Sequence, residues 1–493
     1  MPTNRELRTA LEARTGLCIP PGTELVDEEY EGFSNGKEVL IPIPANDSAD
    51  PLFYGPMGAE FGASSSQLSY LTGSMILLLG VGNLLLIPLA CAHGRRPALA
   101  IANVLCSASF IWQARAQSYG SLMGGRVLSG LGAALIETIG PMVIEDLFFL
   151  HQRGRANGVY FGVLFCATGF GPFIASVFAE YSTWRNFFWC SFATSMACQI
   201  ALVFFPETKY HRTLTAAVQK DQSSDCPNKG NEAGYVAPAT LLGKGRPPQS
   251  SFRLWFAKEK TDSYLWEFST PLLLAQFPLA LWPSLVFAVA AICTLFITLV
   301  QSILYTAPPY NFSIVAVGAT NWTSVLANPI GAVLAGWMAD KYVLWRTKRN
   351  NNLREPEFRL PMAIPFMLAL ILGVASLGIS VSQHDPWAVP VIVSTGLASM
   401  GVTGTVSIVL AYSIDCYPRY AGQLLTLATI VKNVLAFGFS YGAVDWVMAW
   451  SWKRALGCWA GIVAAVCCMG VPVYIWGKQL RVISSRSTLM KEE

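Results

Sequence analysis

The stretch LSYLTGSMILLLGVGNLLLIPLACA at residues 68–92 decides the fold, because it carries no charged side chain and is long enough to cross a bilayer. A hydrocarbon core about 30 Å thick needs about 20 apolar residues in a helix. Further runs of this kind follow at 97–114, 119–144, 157–179, 185–205, 284–306, 313–339, 360–381, 387–413, 421–443 and 455–476. The sequence therefore predicts an all-α membrane protein with eleven transmembrane helices.

The composition excludes several other classes of protein. Of the 493 residues, 53% are hydrophobic and only 13% are charged, whereas soluble domains carry about 25% charged residues. A disordered chain, a nucleic-acid-binding protein and an ordinary soluble enzyme are thus excluded. The twelve cysteines lie mostly in apolar runs, where cysteine acts as a small hydrophobic residue. With no CxxC pair and no phosphate-binding loop, we expect no metal, no cofactor and no enzymatic activity.

The apolar runs divide the chain into five regions. We expect a disordered acidic tail at 1–66, a bundle of five helices at 67–205, a long cytoplasmic loop at 206–283, a bundle of six helices at 284–476 and a cytoplasmic tail at 477–493. The basic residues after the first, third and seventh spans fall in alternate loops, and such loops lie on the cytoplasmic side. Because one span separates the N-terminal tail from the first basic loop, the tail is predicted to lie outside.

Seven short motifs, in a particular order and spacing, indicate which class of membrane protein this is. They are HGRRPAL at 93–99, GRVLSGLGAA at 125–134, GFGPFIAS at 169–176, PETKYHR at 206–212, GWMADKYVLWRTKRNN at 336–351, REPEFRL at 354–360 and YSIDCYPRYAG at 412–422. Together they resemble the major facilitator superfamily, and within it the fungal multidrug–proton antiporters of twelve helices. The resemblance covers nearly everything from Tyr54 onward. It implies a fold of two helical bundles around a central cavity.

The chain departs from that family in two places. The family has a full apolar helix before residue 68, whereas LIPIPANDSADPL at 40–52 here runs straight into FYGPMGAEFGAS at 53–64. One helix length is missing between Leu52 and Phe53, either as a true loss or through an error in the gene model. The family also has an acidic residue at the position of Cys91, which usually ties one bundle to the other. Its loss is expected to weaken one gate.

Charged residues inside the spans are candidates for the transport pathway, because each costs at least about 2.5–3.5 kcal/mol in a bilayer. Arg126 and Glu137 lie eleven residues apart in one predicted span and share a helix face. We expect Arg126 to steer substrate or protons and Glu137 to exchange protons. Lys432, beside Asn433, lies near the middle of its span and is expected to face a cavity or another helix. A structural contact is the alternative for each of them.

Two polar residues and two glycosylation sequons are additional candidate sites. Gln301 and Tyr305 lie one helical turn apart on the first span of the second half, which lines the cavity in the resembled family. For both of them, helix packing is the alternative. Asn46 and Asn311 begin sequons of the Asn-x-Ser type, and both are predicted to lie outside.

Further residues are candidates for conformational gating. Two charge clusters are expected at the cytoplasmic loops, and the resemblance gives a conformational role to a bend in the predicted 157–179 span. These residues are Gly94, Arg95, Arg96, Asp146, Arg153, Gly171, Pro172, Asp340 and Lys341. Solvated loop charge and an ordinary helix kink are the alternatives.

The sequence as a whole predicts a transporter. The resemblance implies proton-coupled export of small, mostly apolar organic molecules by alternating access between two bundles. The expected partners are a small-molecule substrate, protons and the lipid bilayer, with no nucleic acid, and the expected location is the plasma membrane. Two alternatives remain open: a transporter-derived protein that no longer transports because its first bundle lacks a helix, and a proton-coupled nutrient importer.

Overall fold

A computed structural model of the chain describes residues 24–25, 53, 57, 60–62, 65–147, 150–204, 264–351, 353–417 and 420–485. Inside these ranges a few side chains lie outside the description, among them those of Glu137, Asp146, Arg153 and Arg155. The sequon at Asn46 and most of the predicted loop at 206–283 also lie outside the described residues.

The described part of the first half is built from helices joined by short turns. They are α1 (Ser65–His93), α2 (Arg95–Ala114), α3 (Tyr119–Ala133), α4 (Ile136–Leu147), α5 (Leu150–Tyr181) and α6 (Trp184–Val203). Gly94 joins α1 to α2 with φ 107°, a conformation that favours glycine. The Ser118 hydroxyl accepts a hydrogen bond from the Ser121 N–H and caps α3. Since α3 and α4 are separated at Ala134, the predicted 119–144 span is not one continuous helix.

The second half follows the same pattern. Its helices are α7 (Tyr264–Leu274), α8 (Pro278–Thr306), α9 (Ile314–Thr320), α10 (Trp322–Arg349), α11 (Ile364–Gln383), α12 (Thr395–Cys416), α13 (Ala421–Ala449), α14 (Trp452–Cys468) and α15 (Gly470–Ser485). A 3-10 helix at Pro356–Ala363 leads into α11, and a π-helical segment at Val389–Ser394 leads into α12.

Ten helical stretches in the described ranges are long and apolar enough to cross a membrane. They are Gln67–His93, Arg95–Ala114, Tyr119–Ile144, Gly162–Tyr181, Trp184–Val203, Pro278–Thr306, Pro356–Gln383, Val389–Cys416, Ala421–Ala443 and Trp452–Ser484. They match ten of the eleven predicted spans, five in each half, and confirm an all-α membrane protein. The remaining predicted span, 313–339, falls on α9 and α10. Helix α10 has 28 residues, but Asn328, Pro329 and its tryptophans make it less apolar.

The structure places two region boundaries differently from the sequence prediction. Helix α7 lies inside the predicted 206–283 loop, yet it packs against α1 and α13, because apolar side chains such as Leu274 are fully buried there. Helix α8 then begins at Pro278, before the predicted start of the second bundle. At the other end, the predicted tail at 477–493 stays helical to Ser485. Arg481 is fully buried there because Glu357 compensates its charge.

Residues just before α1 are packed against the first half, although the sequence predicted a disordered tail up to residue 66. Phe53 is fully buried and its ring centre lies 5.2 Å from that of Phe187. Glu60 accepts hydrogen bonds from the Trp184 indole at 2.9 Å and from Arg185 Nη1 at 3.0 Å. These contacts cover the end of α6 that is opposite the basic loop at Gly94.

A short strand pair connects the N-terminal region to the second half. Strand β1 (Glu24–Leu25) pairs antiparallel with β2 (Leu353–Arg354). Strand β2 follows the basic last turn of α10, which identifies its side of the membrane as cytoplasmic. The pairing places β1 beside the loop after α10, whereas the sequence predicts the N-terminal tail on the other side of the membrane.

The two halves meet mainly where α1 packs on α13 and α5 packs on α10. Small residues allow these helices to approach closely: a Cβ atom on Gly80 of α1 would lie 2.9 Å from that of Asn433 on α13. Near the outer end of the same helix pair, the rings of Tyr70 and Tyr441 stack with their centres 4.3 Å apart. Small residues at helix contacts are typical of packing inside membranes.

Candidate functional site

Arg126 of α3 lies in the interior of the first half, with 1% of its surface exposed. Its Nη1 atom is 3.8 Å from the Met75 sulfur of α1. Its guanidinium carbon is 5.0 Å from the centre of the Phe188 ring of α6, a distance at which the ring attracts a cation. These contacts lie within the first half. The predicted partner, Glu137, follows the break between α3 and α4, and its side chain is outside the description.

Lys432 of α13 faces the interior of the second half. Its Nζ atom lies 5.1 Å from the centre of the Phe287 ring of α8, and only 7% of the residue is exposed. The neighbouring Asn433 points the other way, toward Gly80 of the first half. Arg126 contacts α1 and α6 of the first half, whereas Lys432 contacts α8 of the second half. The structure therefore keeps the two buried cations apart.

Gln301 and Tyr305 are both buried on α8, one turn apart as predicted. The Gln301 amide nitrogen has no hydrogen-bond partner among the described residues. The Tyr305 ring packs against Tyr310 and Phe312, with ring centres 5.7 and 5.9 Å away. Its hydroxyl neighbours the side chain of Thr395. Tyr305 thus belongs to an aromatic cluster that borders the pocket described next.

A small pocket lies between the two halves. Helix α5 of the first half forms one wall, while α8, α12 and the start of α10 form the others. The polar side chains that line it are Thr168, Thr294, Thr298, Asn321, Ser324, Thr395 and Ser399. The lining does not include Arg126, Gln301, Tyr305, Lys432 or Asn433. Asn321 is the one lining residue that the sequence marks as a weaker candidate, whereas the serines and threonines resemble ordinary small residues of apolar runs.

Asn328 of α10 connects the two halves directly beside this pocket. Its Nδ2 atom donates a hydrogen bond of 2.9 Å to the main-chain carbonyl of Phe165 on α5. Its Oδ1 atom accepts one of 2.8 Å from the Thr403 hydroxyl on α12. Both ends of the buried amide are therefore engaged, as buried polar groups in a bilayer require. From the sequence, Asn328 is a weaker candidate for substrate contact, with helix packing as the favoured interpretation.

The proline that follows Asn328 creates a second contact between the halves. Pro329 has no N–H group, so the carbonyl of Val325 loses its usual helical donor. The thiol of Cys166 on α5 donates to that carbonyl at 3.2 Å. A side chain from the neighbouring helix thus satisfies a backbone group that the proline leaves free.

The predicted bend at Gly171 and Pro172 lies within α5, where that helix contacts the second half. A Cβ atom on Gly318 of α9 would come 3.2 Å from the Pro172 carbonyl, and one on Gly169 would come 2.7 Å from a methyl carbon of Val325. The segment therefore approaches α9 and α10 closely. This position supports the conformational role that the family resemblance implies.

The first cytoplasmic loop contains Gly94, Arg95 and Arg96, and here the two arginines make contacts within their own half. Arg95 Nη1 donates to the Ala90 carbonyl at 3.2 Å and lies 3.8 Å from the Cys91 sulfur. Arg96 donates from Nη2 to the Val203 carbonyl at 2.7 Å. A cation at the C-terminal end of a helix is stabilised by the helix dipole. Arg96 therefore holds the end of α6 beside α2.

The second cytoplasmic cluster is larger than predicted. Asp415 of α12 forms ion pairs with Arg354 at 3.2 Å and Arg359 at 2.7 Å. Both arginines also interact electrostatically with the Asp340 carboxylate. Asp340 therefore belongs to the same cluster. Lys341 lies elsewhere, with its Nζ 4.1 Å from the centre of the Trp337 ring. The two residues therefore do not share a charge cluster as predicted. Asp340 interacts with the arginines of the loop after α10, and Lys341 contacts Trp337.

A buried ion pair extends this cytoplasmic cluster to the last helix. Arg481 of α15 donates to Glu357 through Nε at 2.9 Å and Nη2 at 2.7 Å. Lys478, which is half exposed, lies 3.2 Å from Glu355. The acidic residues belong to the REPEFRL motif, so the family resemblance pointed to this loop, although it did not reveal the basic partners on α15.

The remaining predicted sites are partly described. Asn311 is exposed in the loop between α8 and α9, with φ 48°, and the Ser313 hydroxyl of its sequon caps α9. Asp146 and Arg153 have side chains outside the description. Within the described ranges, no group of three His, Cys, Asp or Glu side chains is placed to hold a metal ion.

The fold and the pocket define a multi-pass membrane protein made of two helical halves that enclose a polar pocket. The sequence profile of the Major Facilitator Superfamily matches residues 46–441, and the chain belongs to this family.

Similar proteins support the same assignment. The chain is 22% identical to Protein HOL1 of Saccharomyces cerevisiae over 91% of each chain. It is 24% identical to the probable efflux pump mfs2 of Aspergillus flavus, over 78% of this chain and 86% of that protein. Its fold is similar to the solved structure of the proton:xylose symporter XylE, with a TM-score of 0.58 at 16% identity over 88% of this chain and 92% of XylE. The two relatives matched by sequence are fungal proteins.

Proposed function

We propose that the chain is a proton-coupled secondary transporter that exports small organic molecules by alternating access. The pocket between the halves supports this proposal most strongly, because α5 of one half and α8, α10 and α12 of the other line it. A change in the angle between the halves would therefore open the pocket to one side of the membrane or the other. The efflux-pump relative from Aspergillus flavus favours export.

Proton coupling requires a group whose protonation changes the affinity of one conformation for the substrate. Glu137, which follows α3 in the first half, is the proposed proton carrier. Arg126 supplies a buried positive charge to the same half. Protons and substrate then favour different conformations of the transporter, so the binding of one promotes the release of the other. No bond is made or broken in the substrate. The proposed activity is thus transport and not catalysis.

Flux in proteoliposomes tests the direction and the coupling. The purified full-length chain is reconstituted, and accumulation of tyrosol, a small neutral phenol, is measured with the lumen either acidic or alkaline. The proposal expects accumulation with an acidic lumen, because outward proton flow drives inward substrate flow. Accumulation only with an acidic exterior would instead identify an importer, and no exchange in either case would identify a non-transporting protein.

A substitution separates coupling from transport in the same assay. Glu137→Gln is expected to abolish accumulation driven by the proton gradient while leaving counterflow of labelled against unlabelled tyrosol. Loss of counterflow as well would assign Glu137 to the structure and not to coupling.

The plasma membrane is the proposed location of the transporter, as suits an exporter. Surface labelling of intact cells with an impermeant amine reagent is expected to label the chain. The exposed position of Asn311 supports glycosylation on the outer side, so digestion with a peptide N-glycosidase is expected to increase the electrophoretic mobility. Recovery of the chain only in internal membranes would contradict this location.

A further inference from the structure

We infer, resting on the proposed transport function, that the pocket binds an uncharged ligand that donates hydrogen bonds, and that the second half supplies most of its recognition. The class of substrate follows from the charges, the hydroxyl geometry and the origin of the lining residues. The wall residues that matter are Thr298, Asn321, Ser324, Thr395 and Ser399.

The pocket wall carries no charged side chain among its described residues. An ion that enters it would lose its hydration without gaining an opposite charge, which is strongly unfavourable in an interior shielded from water. The two buried cations, Arg126 and Lys432, contact other parts of the bundle. The wall therefore selects against both ammonium and carboxylate groups.

The polar groups of the wall present mainly hydrogen-bond acceptors. The Thr298 hydroxyl donates to the Thr294 carbonyl at 2.9 Å, and the Thr395 hydroxyl donates to the Pro390 carbonyl at 2.9 Å. Asn321 uses its Nδ2 atom on the Gly318 carbonyl at 3.1 Å. In each case the hydrogen is used by the backbone. The Thr395 oxygen also contacts the Tyr305 hydroxyl, so the oxygen lone pairs of Thr298 and Asn321 remain for a ligand. A ligand with hydroxyl or N–H groups matches this wall.

One donor is available beside these acceptors, one turn along α12 from Thr395. The hydroxyls of Ser324 and Ser399 lie 2.8 Å apart and form one hydrogen bond with each other. Because one of the two hydroxyls accepts in that bond, its own hydrogen can point to a ligand. The pair therefore contributes one donor next to several acceptors, which suits a ligand hydroxyl that both donates and accepts.

The second half forms most of the wall. The first half contributes only Thr168 and Gly169 of α5, and every lining residue lies after α4. Of the described residues before α1, none is part of this wall.

A set of four related aromatic probes tests the ligand class on the full chain in nanodiscs, without any gradient. Tyrosol is neutral and has two hydroxyls, its dimethyl ether has no donor, tyramine replaces the alcohol with an ammonium group, and 4-hydroxyphenylacetate carries a carboxylate. Binding is measured from the concentration dependence of the melting temperature. We expect tyrosol to bind about tenfold more tightly than each of the other three, as the loss of a hydrogen bond or the burial of a charge predicts.

A pair of substitutions on α12 places the binding in this pocket. Ser399→Ala is expected to weaken tyrosol binding about tenfold, in line with the loss of one or two hydrogen bonds. Ser407→Ala is the matched control: its hydroxyl lies two turns further on and donates to the Gly404 carbonyl at 3.1 Å, away from the pocket. Ser407→Ala is expected to leave the binding unchanged.

Three results would overturn the inference: no binding of tyrosol, tighter binding of tyramine or 4-hydroxyphenylacetate, or equal effects of the two serine substitutions. The test is independent of transport. If tyrosol binds at Ser399 and no proton-coupled flux occurs, the ligand class stands and the proposed function fails. If flux occurs and Ser399→Ala leaves it unchanged, the proposed function stands and this inference fails.

Discussion

The side-chain amide of Asn328 donates a hydrogen bond of 2.9 Å to the main-chain carbonyl of Phe165, and this bond joins the two halves of the protein. Thr403 donates to the oxygen of the same amide at 2.8 Å. Beside them, the thiol of Cys166 satisfies the carbonyl that Pro329 leaves free. The contact between α5 and α10 is thus held by directional bonds as well as by packing.

Replacing Asn328 is expected to loosen this contact. Asn328→Ala removes the partner of the Thr403 hydroxyl and a donor to the Phe165 carbonyl, at a cost of about 1–2 kcal/mol. The melting temperature of the purified chain should fall, as measured by intrinsic fluorescence. Asn186→Ala is the control, because the Asn186 amide is exposed at the outer end of α6 and donates only to Ser182. Equal melting temperatures for the two variants would contradict the role of Asn328.

A methyl group at Gly169 is expected to separate α5 from α10. Its Cβ atom would lie 2.7 Å from a methyl carbon of Val325 and 3.1 Å from the Asn321 carbonyl, so the helices must move apart. Gly169→Ala should therefore reduce tyrosol counterflow in proteoliposomes at least about tenfold. Gly438→Ala on α13 is the matched control, since no atom lies within 4 Å of its new methyl group. Normal counterflow in Gly169→Ala would show that the close approach is not needed.

The ion pair between Glu357 and Arg481 is expected to be essential for stability. Arg481→Gln leaves a buried carboxylate without its partner, which costs about 3–5 kcal/mol. Lys478→Gln breaks a half-exposed pair with Glu355 and should cost less than about 1 kcal/mol. Denaturation of the two variants in detergent measures the difference. A similar loss of stability in both would show that Arg481 is not specially important.

The outer contact of Glu60 is expected to weaken in acid. Hydrogen bonds from Arg185 lower the pKa of Glu60, while partial burial opposes the shift and a bond from Trp184 supports it. A lowered pKa means that the carboxylate stabilises the fold above its unfolded pKa of about 4.3. That stabilisation disappears as the pH falls through the lower, folded pKa. The melting temperatures of the native chain and of Glu60→Gln should therefore differ at neutral pH and converge in acid.

A second glutamate at the same end of the protein controls for general acid effects on Glu60. Glu180→Gln changes an exposed carboxyl near the end of α5. Its melting temperature should follow that of the native chain at every pH. A constant difference between Glu60→Gln and the native chain down to strongly acidic pH would contradict the assigned pKa shift.

The spans could be predicted from the sequence because each is a long apolar run, and ten of them appear as predicted. Length and hydropathy do not contain the contacts between helices. The break between α3 and α4, the burial of Arg481 and the strand pair at Leu25 all depend on partners far away in the chain. For this reason the predicted boundaries at 284 and 477 differ from the helix limits in the structure, where α8 begins at Pro278 and α15 continues to Ser485.

The pocket was harder to predict than the charged pathway residues. A buried charge such as Arg126 is conspicuous in an apolar run, whereas Thr298 or Ser399 resembles any small residue of a membrane helix. Only the packing of α5 against α8, α10 and α12 brings such hydroxyls to one surface. Family resemblance located the motifs at Gly171 and at Glu357, but it did not indicate which helix each of them contacts.

The central claim is that the two halves move relative to each other during transport. The stacked rings of Tyr70 and Tyr441, 4.3 Å apart, join α1 to α13 near the outer face. The direct measurement is tyrosol counterflow by a Tyr70→Cys, Tyr441→Cys double variant before and after treatment with a short, cleavable thiol cross-linker, with each single variant as control. We expect cross-linking to stop counterflow only in the double variant and cleavage to restore it. Counterflow that continues at the same rate in the cross-linked protein would contradict it.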